Sequence, residues 1–595
     1  MSALYVNNIT PVIQSDTDTP RSEIEDEIEQ HFKAIITLKR LLNAKVAISR
    51  LPSELLAEIF VCLARDPHSR PEMARGAYIS AIYGTSLQWI RTSQVCHAWR
   101  EVALTTPRLW SFISVTRRDV LEAFLARSKQ APLSICIDNL SFYESCKVLG
   151  ELLPPELYRL RELRFSGPVR IVHDICANLT QPAHLLHTLR LVIPDTEYSS
   201  PSGPSLLQDD LFCGQVPRLR ILEIRQITIN WDHPIFSKTL TSLVVIRGSH
   251  GGDFEQLLSA LEQMTYLENL RLDDAIPPAP SHTTSLPAPS RTVALPSLRH
   301  IRLKGFAVDS ANLLRHLSPA IDPELDIVTS PGQAVVQDLV DTLKSQLTQM
   351  KPLRTVRLAQ AYGPKLALYA WRKDINFTKS DSDRYLSDFD LGIPLRLELS
   401  SPTLSEGTQR LFSDSSLWRS VRYLQVETDF DQSWVWRDII SGMPGLRVLG
   451  VLYGVEKSLL DALSAVHPAE KSRAPSVVLP HLEVLSFSDT RLANLSEYMV
   501  EERFFDGLID CLILRCNYGI PVQEVQLTDC RNITVEDVAR LREIVPQVVW
   551  DGVVIMEESE DDEDEDDDYD DTEEEDYDDP EYDEDYGLDW DDGWS

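Results

Sequence analysis

Nothing in this sequence of 595 residues nucleates an active site: a G-x-S-x-G elbow, a P-loop, a G-x-G-x-x-G turn and H-E-x-x-H are all missing. The nine cysteines form no CxxC pair and have no histidine at ligand spacing, which argues against a zinc site and a disulfide scaffold and suits a reducing compartment. Long apolar runs are missing too. No window reaches the roughly 18 apolar residues of a membrane span, and the N-terminal stretch lacks the basic and apolar segments of a secretory signal. The expected setting is cytoplasmic or nuclear, without membrane contact, metal or cofactor, so Asn178-Leu179-Thr180 is a chance glycosylation match. Basic residues are missing from one region. After Met556 there are 26 acidic residues and no Lys or Arg, so the net charge of -35 shrinks to -9 over the rest of the chain. An acidic chain of this kind disfavours nucleic acid as a partner.

What is present is ordinary for a globular protein, 43% hydrophobic and 25% charged, with length enough for more than one core. Residues 1–20 are polar and expected to be disordered. Over 21–48, Ile24, Ile28, Phe32, Ile35, Leu38 and Leu42 recur mostly three or four apart, the pattern of an amphipathic helix suited to coiled-coil packing. Pro52 stands where a second helix begins, its fixed φ suiting a first turn. Leu55, Leu56, Ile59, Phe60 and Leu63 follow it. After an insertion, RDPHSRPEMARGAYISAIYGTS, the run LQWIRTSQVCHAWREVALTTPRLW places Val95, Trp99 and Val102 on one helical face, ended by Thr105, Thr106 and Pro107. Trp99 and Trp110 read as core aromatics, whereas Trp89 has no assignment. His97 reads as a helix-surface residue and Cys96 as a small inert thiol rather than a nucleophile, so no catalytic residue is expected.

LPSELLAEIFVCL, then VCHAWREVALTTPRLW, resembles an F-box over residues 49–115, with an insertion longer than the usual connection. The resemblance implies a small all-α domain that docks on the Skp-type adaptor of a cullin complex through Leu51, Pro52, Leu55, Ile59, Val95, Cys96, Trp99 and Arg100.

From 116 to 555 an L-x-x-L-x-L template recurs: LRELRF, LHTLRL, LRILEI, LTSLVV, LENLRL, LRHIRL, LRTVRL, VRYLQV, LRVLGV, LEVLSF and VQEVQL. LDIV near Leu325 and LRLELS near Leu395 read as degenerate copies. Amphipathic segments such as DFEQLLSALEQM and VEDVARLREIVP lie between copies, so each repeat is expected to hold a strand and a helix. The segments 194–205 and 276–296, rich in Pro and Ser, are expected to be mobile loops. This is the logic of a leucine-rich repeat, and LTDCRNITVEDVARLREIVP resembles the last repeat of fungal F-box proteins. The expected fold class is therefore an α+β or α/β solenoid: a helical F-box-like domain, an irregular leucine-rich-repeat-like array and a disordered acidic tail over 556–595.

Alternation along a strand turns the fifth template position away from the buried leucines. That column reads Arg164, Arg190, Glu223, Val244, Arg271, Arg302, Arg357, Gln425, Gly450, Ser486 and Gln526, so five of its eleven positions are arginine. Such arginines either stack over a wet surface or read an acidic or phosphorylated target. The tail, punctuated by Tyr569, Tyr577, Tyr582, Tyr586, Trp590 and Trp594, is open to three uses: solubiliser, internal competitor for that column, or binder of basic partners. The leading functional expectation is a non-catalytic substrate-recognition subunit of a ubiquitin ligase; the alternative is an acidic-tailed scaffold or chaperone.

Overall fold

The computed structural model describes residues 20–64, 87–114, 117–137, 143–194, 207–248, 252–279, 286–320, 322–330, 337–361, 365–375, 394–400, 409, 411–412, 415–427, 433–453, 457–467, 476–490, 492 and 504–555. Residues 1–19, 195–206 and the acidic tail, for which disorder or mobility is expected, lie outside them, as does the whole insertion at 65–86.

Among the described residues, four N-terminal α-helices come first: α1 (Arg21–Ala44), α2 (Ser53–Ala64), α3 (Thr92–Val95) and α4 (His97–Thr105). A further helix, α5 (Arg118–Ser128), lies between the first two strands of one 17-stranded, mostly parallel sheet. Phe112–Ile113 is its first strand and pairs with Leu133–Ile137. The sheet then grows in chain order through Leu160–Ser166, Thr188–Val192, Ile221–Arg225, Ser242–Ile246, Asn269–Asp273 and His300–Gly305 to Glu324–Thr329. There the order inverts. Leu395–Ser400 pairs with Glu324–Thr329, Lys365–Trp371 runs antiparallel between Leu395–Ser400 and Thr355–Ala361, and chain order resumes at Tyr423–Glu427. Four more parallel strands, Val448–Leu452, Val484–Ser488, Glu524–Thr528 and Gln547–Trp550, complete it.

The template explains the sheet. Its fourth and sixth positions, such as Leu163 and Phe165, Leu189 and Leu191, or Leu270 and Leu272, are buried and share one core with the intervening helices. Phe254–Gln263 and Val535–Ile544 are such helices, each opened by a reciprocal capping box: Asp253 with Gln256, and Thr534 with Asp537. LDIV and LRLELS form strands of the sheet, paired with each other.

A backbone device recurs at the strand exits. Gln226, Arg247, Asp274, Tyr453 and Asp489 all have left-handed φ, from 49° to 71°. Each donates its N–H to a carbonyl of the next strand: Ile246, Asp273, Lys304, Ser488 and Thr528 respectively, at 2.7–3.2 Å. Left-handed backbone is costly for residues other than glycine, and its repetition at equivalent places marks a shared unit beyond the side-chain pattern.

The Pro-rich stretch 276–296 departs from its expected mobility at both ends. Leu286, Val293 and Leu295 are buried, and Val293–Leu295 pairs with Leu317–Pro319, because the apolar residues between the prolines enter the core. Beside it, buried Asp309 accepts the Ala279 N–H at 2.7 Å, and burial raises its carboxyl pKa above the ordinary value. The folded state therefore binds that proton more tightly than the unfolded chain, and stability falls as pH rises through the interval above the ordinary aspartate value. Asp309→Asn keeps the acceptor and removes the charge. It is expected to be more stable than wild type by about 1 kcal/mol at neutral pH, with the difference vanishing in acid, as read by urea unfolding across pH.

Candidate functional site

Helix α2 is apolar on two faces. Leu56, Phe60 and Val61 enter the core, while Leu51 just before it and Leu55, Ile59 and Leu63 along it, four apart, are exposed. The exposed stripe is large: Leu55 is 54% accessible and Leu63 59%. Pro52 is exposed, and its carbonyl accepts the Leu56 N–H at 3.1 Å, starting the helix. Val95 ends α3 at 60% accessibility, and half-exposed Cys96 takes an extended backbone conformation before α4. The Cys96 carbonyl accepts the N–H of exposed Arg100 at 2.9 Å. Trp99 differs from its neighbours. It is half-buried, with its ring 5.2 Å from that of Phe60, so it holds α4 on α2. Arg108 and Glu58, 2.5 Å apart, tie the turn after α4 to the flank of α2.

The other two tryptophans lie deeper. Trp110 donates its indole N–H to the Ala103 carbonyl at 2.7 Å and meets Trp89 edge-to-face at 5.2 Å. Phe124 of α5 completes the trio, 5.2 Å from Trp110 and 5.9 Å from Trp89. Trp89 is thus a core residue, and the trio joins the helical region to the helix between the first two strands of the sheet. A helical module carrying an outward apolar stripe, closed by a Leu-Trp pair, is now in view. Residues 48–116 match the F-box-like family model. A comparison with curated proteins finds no match to the chain. Domains of the F-box-like family bind Skp-type adaptors in cullin complexes, and the matched domain suggests an adaptor role of that general kind.

Beyond the F-box-like domain, pairing across the sheet places the fifth template positions in one row. Arg164 stands opposite Arg190, Arg190 opposite Glu223, Arg271 opposite Arg302, and Arg302 opposite Asp326. Past the inversion the row continues through Arg396, Tyr369 and Arg357 to Gln425. The template column itself contains Glu223 among its arginines, and the structure brings further carboxylates to the row. Arg190 and Arg225 both reach Glu223, at 3.6 and 2.5 Å. Arg271 and Arg302 share Asp273, at 2.8 and 3.4 Å, and Arg302 also meets Asp326 at 2.7 Å. Arg396 lies between Asp326 and Glu398, and Arg357 meets Glu427 at 2.6 Å.

Burial opposes the charge on Arg396, yet Asp326 and Glu398 outweigh it and hold the guanidinium pKa above its ordinary value. The Arg396 side chain also lies 5.7 Å from the centre of the Tyr369 ring. The face is thus an alternating ionic lattice with half-buried cations and nearly buried carboxylates such as Glu223 and Asp273. The sequence carries a signal for it. Residues two apart on a strand share a face, so Glu223-Ile224-Arg225, Arg271-Leu272-Asp273 and Arg396-Leu397-Glu398 each place opposite charges together.

Proposed function

We propose that this chain is the target-recognition subunit of a Skp–cullin–F-box ubiquitin ligase, with no catalytic chemistry of its own. The supporting observation is the stripe of Leu51, Leu55, Ile59 and Leu63, held in water by a helix whose opposite face is core. Exposed apolar patches on a well-packed module mark interaction surfaces. Val95, Cys96 and Arg100 extend this docking edge, and Trp99 supports it from within. The sheet region is read as an irregular leucine-rich-repeat-like solenoid, on the strength of its chain-ordered strands and recurrent left-handed exits. Its charged row, six arginines against five carboxylates from Arg190 to Glu427 with Arg164 beside them, is the target-binding face. Catalysis is by proximity, since capture raises the effective concentration of target lysines near a ubiquitin-conjugating enzyme.

A slightly cationic lattice suits an acidic or phosphorylated segment that replaces the internal carboxylates as arginine partner. Leu55→Asp with Ile59→Asp is expected to weaken co-purification of a Skp-type adaptor by at least about tenfold while leaving the melting temperature unchanged, because both side chains are exposed. Arg271→Ala, Arg302→Ala and Arg357→Ala together are expected to lose target capture and keep the adaptor. Failure of the wild-type chain to retain the adaptor would leave a non-catalytic scaffold as the better reading.

A further inference from the structure

Every residue of α1 is exposed, including Ile24, Ile28, Ile35, Leu38 and Leu42 at 46–69% accessibility. A 24-residue helix with its whole apolar face in water is marginal alone, so a partner surface is required. The charge along α1 indicates which one. Residues 21–32 carry Glu23, Glu25, Asp26, Glu27 and Glu29 against Arg21 alone, whereas residues 33–45 carry Lys33, Lys39, Arg40 and Lys45 and no acid.

We propose that α1 pairs antiparallel with α1 of a second copy of this chain. Ile24, Ile28, His31, Ile35, Leu38 and Leu42 alternate spacings of four and three, the seam of a two-helix coiled coil. Antiparallel alignment sets Ile24 against Leu42 of the second copy, Ile28 against Leu38 and His31 against Ile35. Flanking positions then bring Glu25 beside Lys39 of the second copy, twice per dimer, and Phe32 beside its own symmetry mate. Each acidic half lies along a basic half. A parallel pair would instead lay acid along acid. The Arg21–Glu25 and Lys33–Glu29 pairs within α1 are exposed one-turn contacts of little energy and do not oppose this arrangement. The contact is isologous, so it closes at two copies.

The test is sedimentation of the full chain, without adaptor, across micromolar concentrations. Wild type is expected to form a dimer that Glu25→Lys weakens about tenfold, since two attractive pairs become repulsive, and that Glu25→Lys with Lys39→Glu restores. A parallel pairing does not bring residues 25 and 39 together, so the paired reversal discriminates orientation. A monomer throughout, a dimer indifferent to Glu25→Lys, or a double variant that fails to recover overturns the proposal. Adaptor binding is not part of the readout, which keeps this inference separable from the ligase reading.

Discussion

Replacing Trp110 with alanine is expected to destabilise the chain by about 3–5 kcal/mol, the range for deleting a buried aromatic. Four contacts are lost together. The indole donates to the Ala103 carbonyl, its edge-to-face partners are Trp89 and Phe124, and the Arg127 guanidinium lies 4.3 Å from its ring centre. Ala103 belongs to α4 and Phe124 to α5, so the cavity would open at the seam between the F-box-like domain and the sheet region. Trp110→Phe keeps much of the aromatic packing and loses the indole donor, leaving the Ala103 carbonyl to find another partner. Its expected loss is smaller, about 1–2 kcal/mol. Urea unfolding followed by near-ultraviolet circular dichroism measures both. Because the first sheet strand begins at Phe112, tryptophan and backbone signals are expected to change in one transition. Separate transitions, or an alanine loss below about 1 kcal/mol, would mean that the trio does not couple the two regions.

That coupling was only partly legible in the residues. VCHAWREVALTTPRLW identified a helical module and the burial of Trp110, because local helical spacing and a short motif suffice for both. Trp89 had no readable role, since its partner Phe124 is distant in sequence and follows the module. In the sheet, the leucines at template positions four and six were readable because alternation is local. KLALYAW at 365–371 escaped because it forms a strand without the template and runs antiparallel, which only its pairing to Thr355–Ala361 and Leu395–Ser400 reveals. The arginine column was correctly aligned in the text of the sequence, yet its character was not. Asp326 enters the row from a degenerate copy, and Asp273 and Glu427 enter from two positions along neighbouring strands, so charge balance depended on register as well as composition.

Arg515 shows the same dependence on distant partners and supports the second large prediction. Its side chain is wholly buried in the helix Phe504–Asn517. Its guanidinium donates to the carbonyls of Val478 at 2.9 Å, Leu479 at 2.6 Å and Leu463 at 3.4 Å. Burial lowers its pKa from the ordinary value. Two features make those carbonyls suitable for a buried cation. Leu463 ends the helix Lys457–Leu463, where the helix dipole is negative, and Leu479 has a left-handed φ of 55°, strained for a residue with a branched side chain. The guanidinium thus bridges a helix end and a strained turn whose Leu479 carbonyl also accepts the Leu482 N–H at 3.2 Å. Arg515→Ala takes this donor from the Leu463 and Val478 carbonyls beside a cavity and is expected to cost about 3–5 kcal/mol. Arg515→Met refills much of the volume without restoring a donor, so its loss, about 2–3 kcal/mol, reports the hydrogen bonds rather than the packing. Equilibrium unfolding of both variants separates the two contributions. A methionine variant as stable as wild type would show that side-chain volume alone holds this turn, whereas the expected order is wild type, then methionine, then alanine.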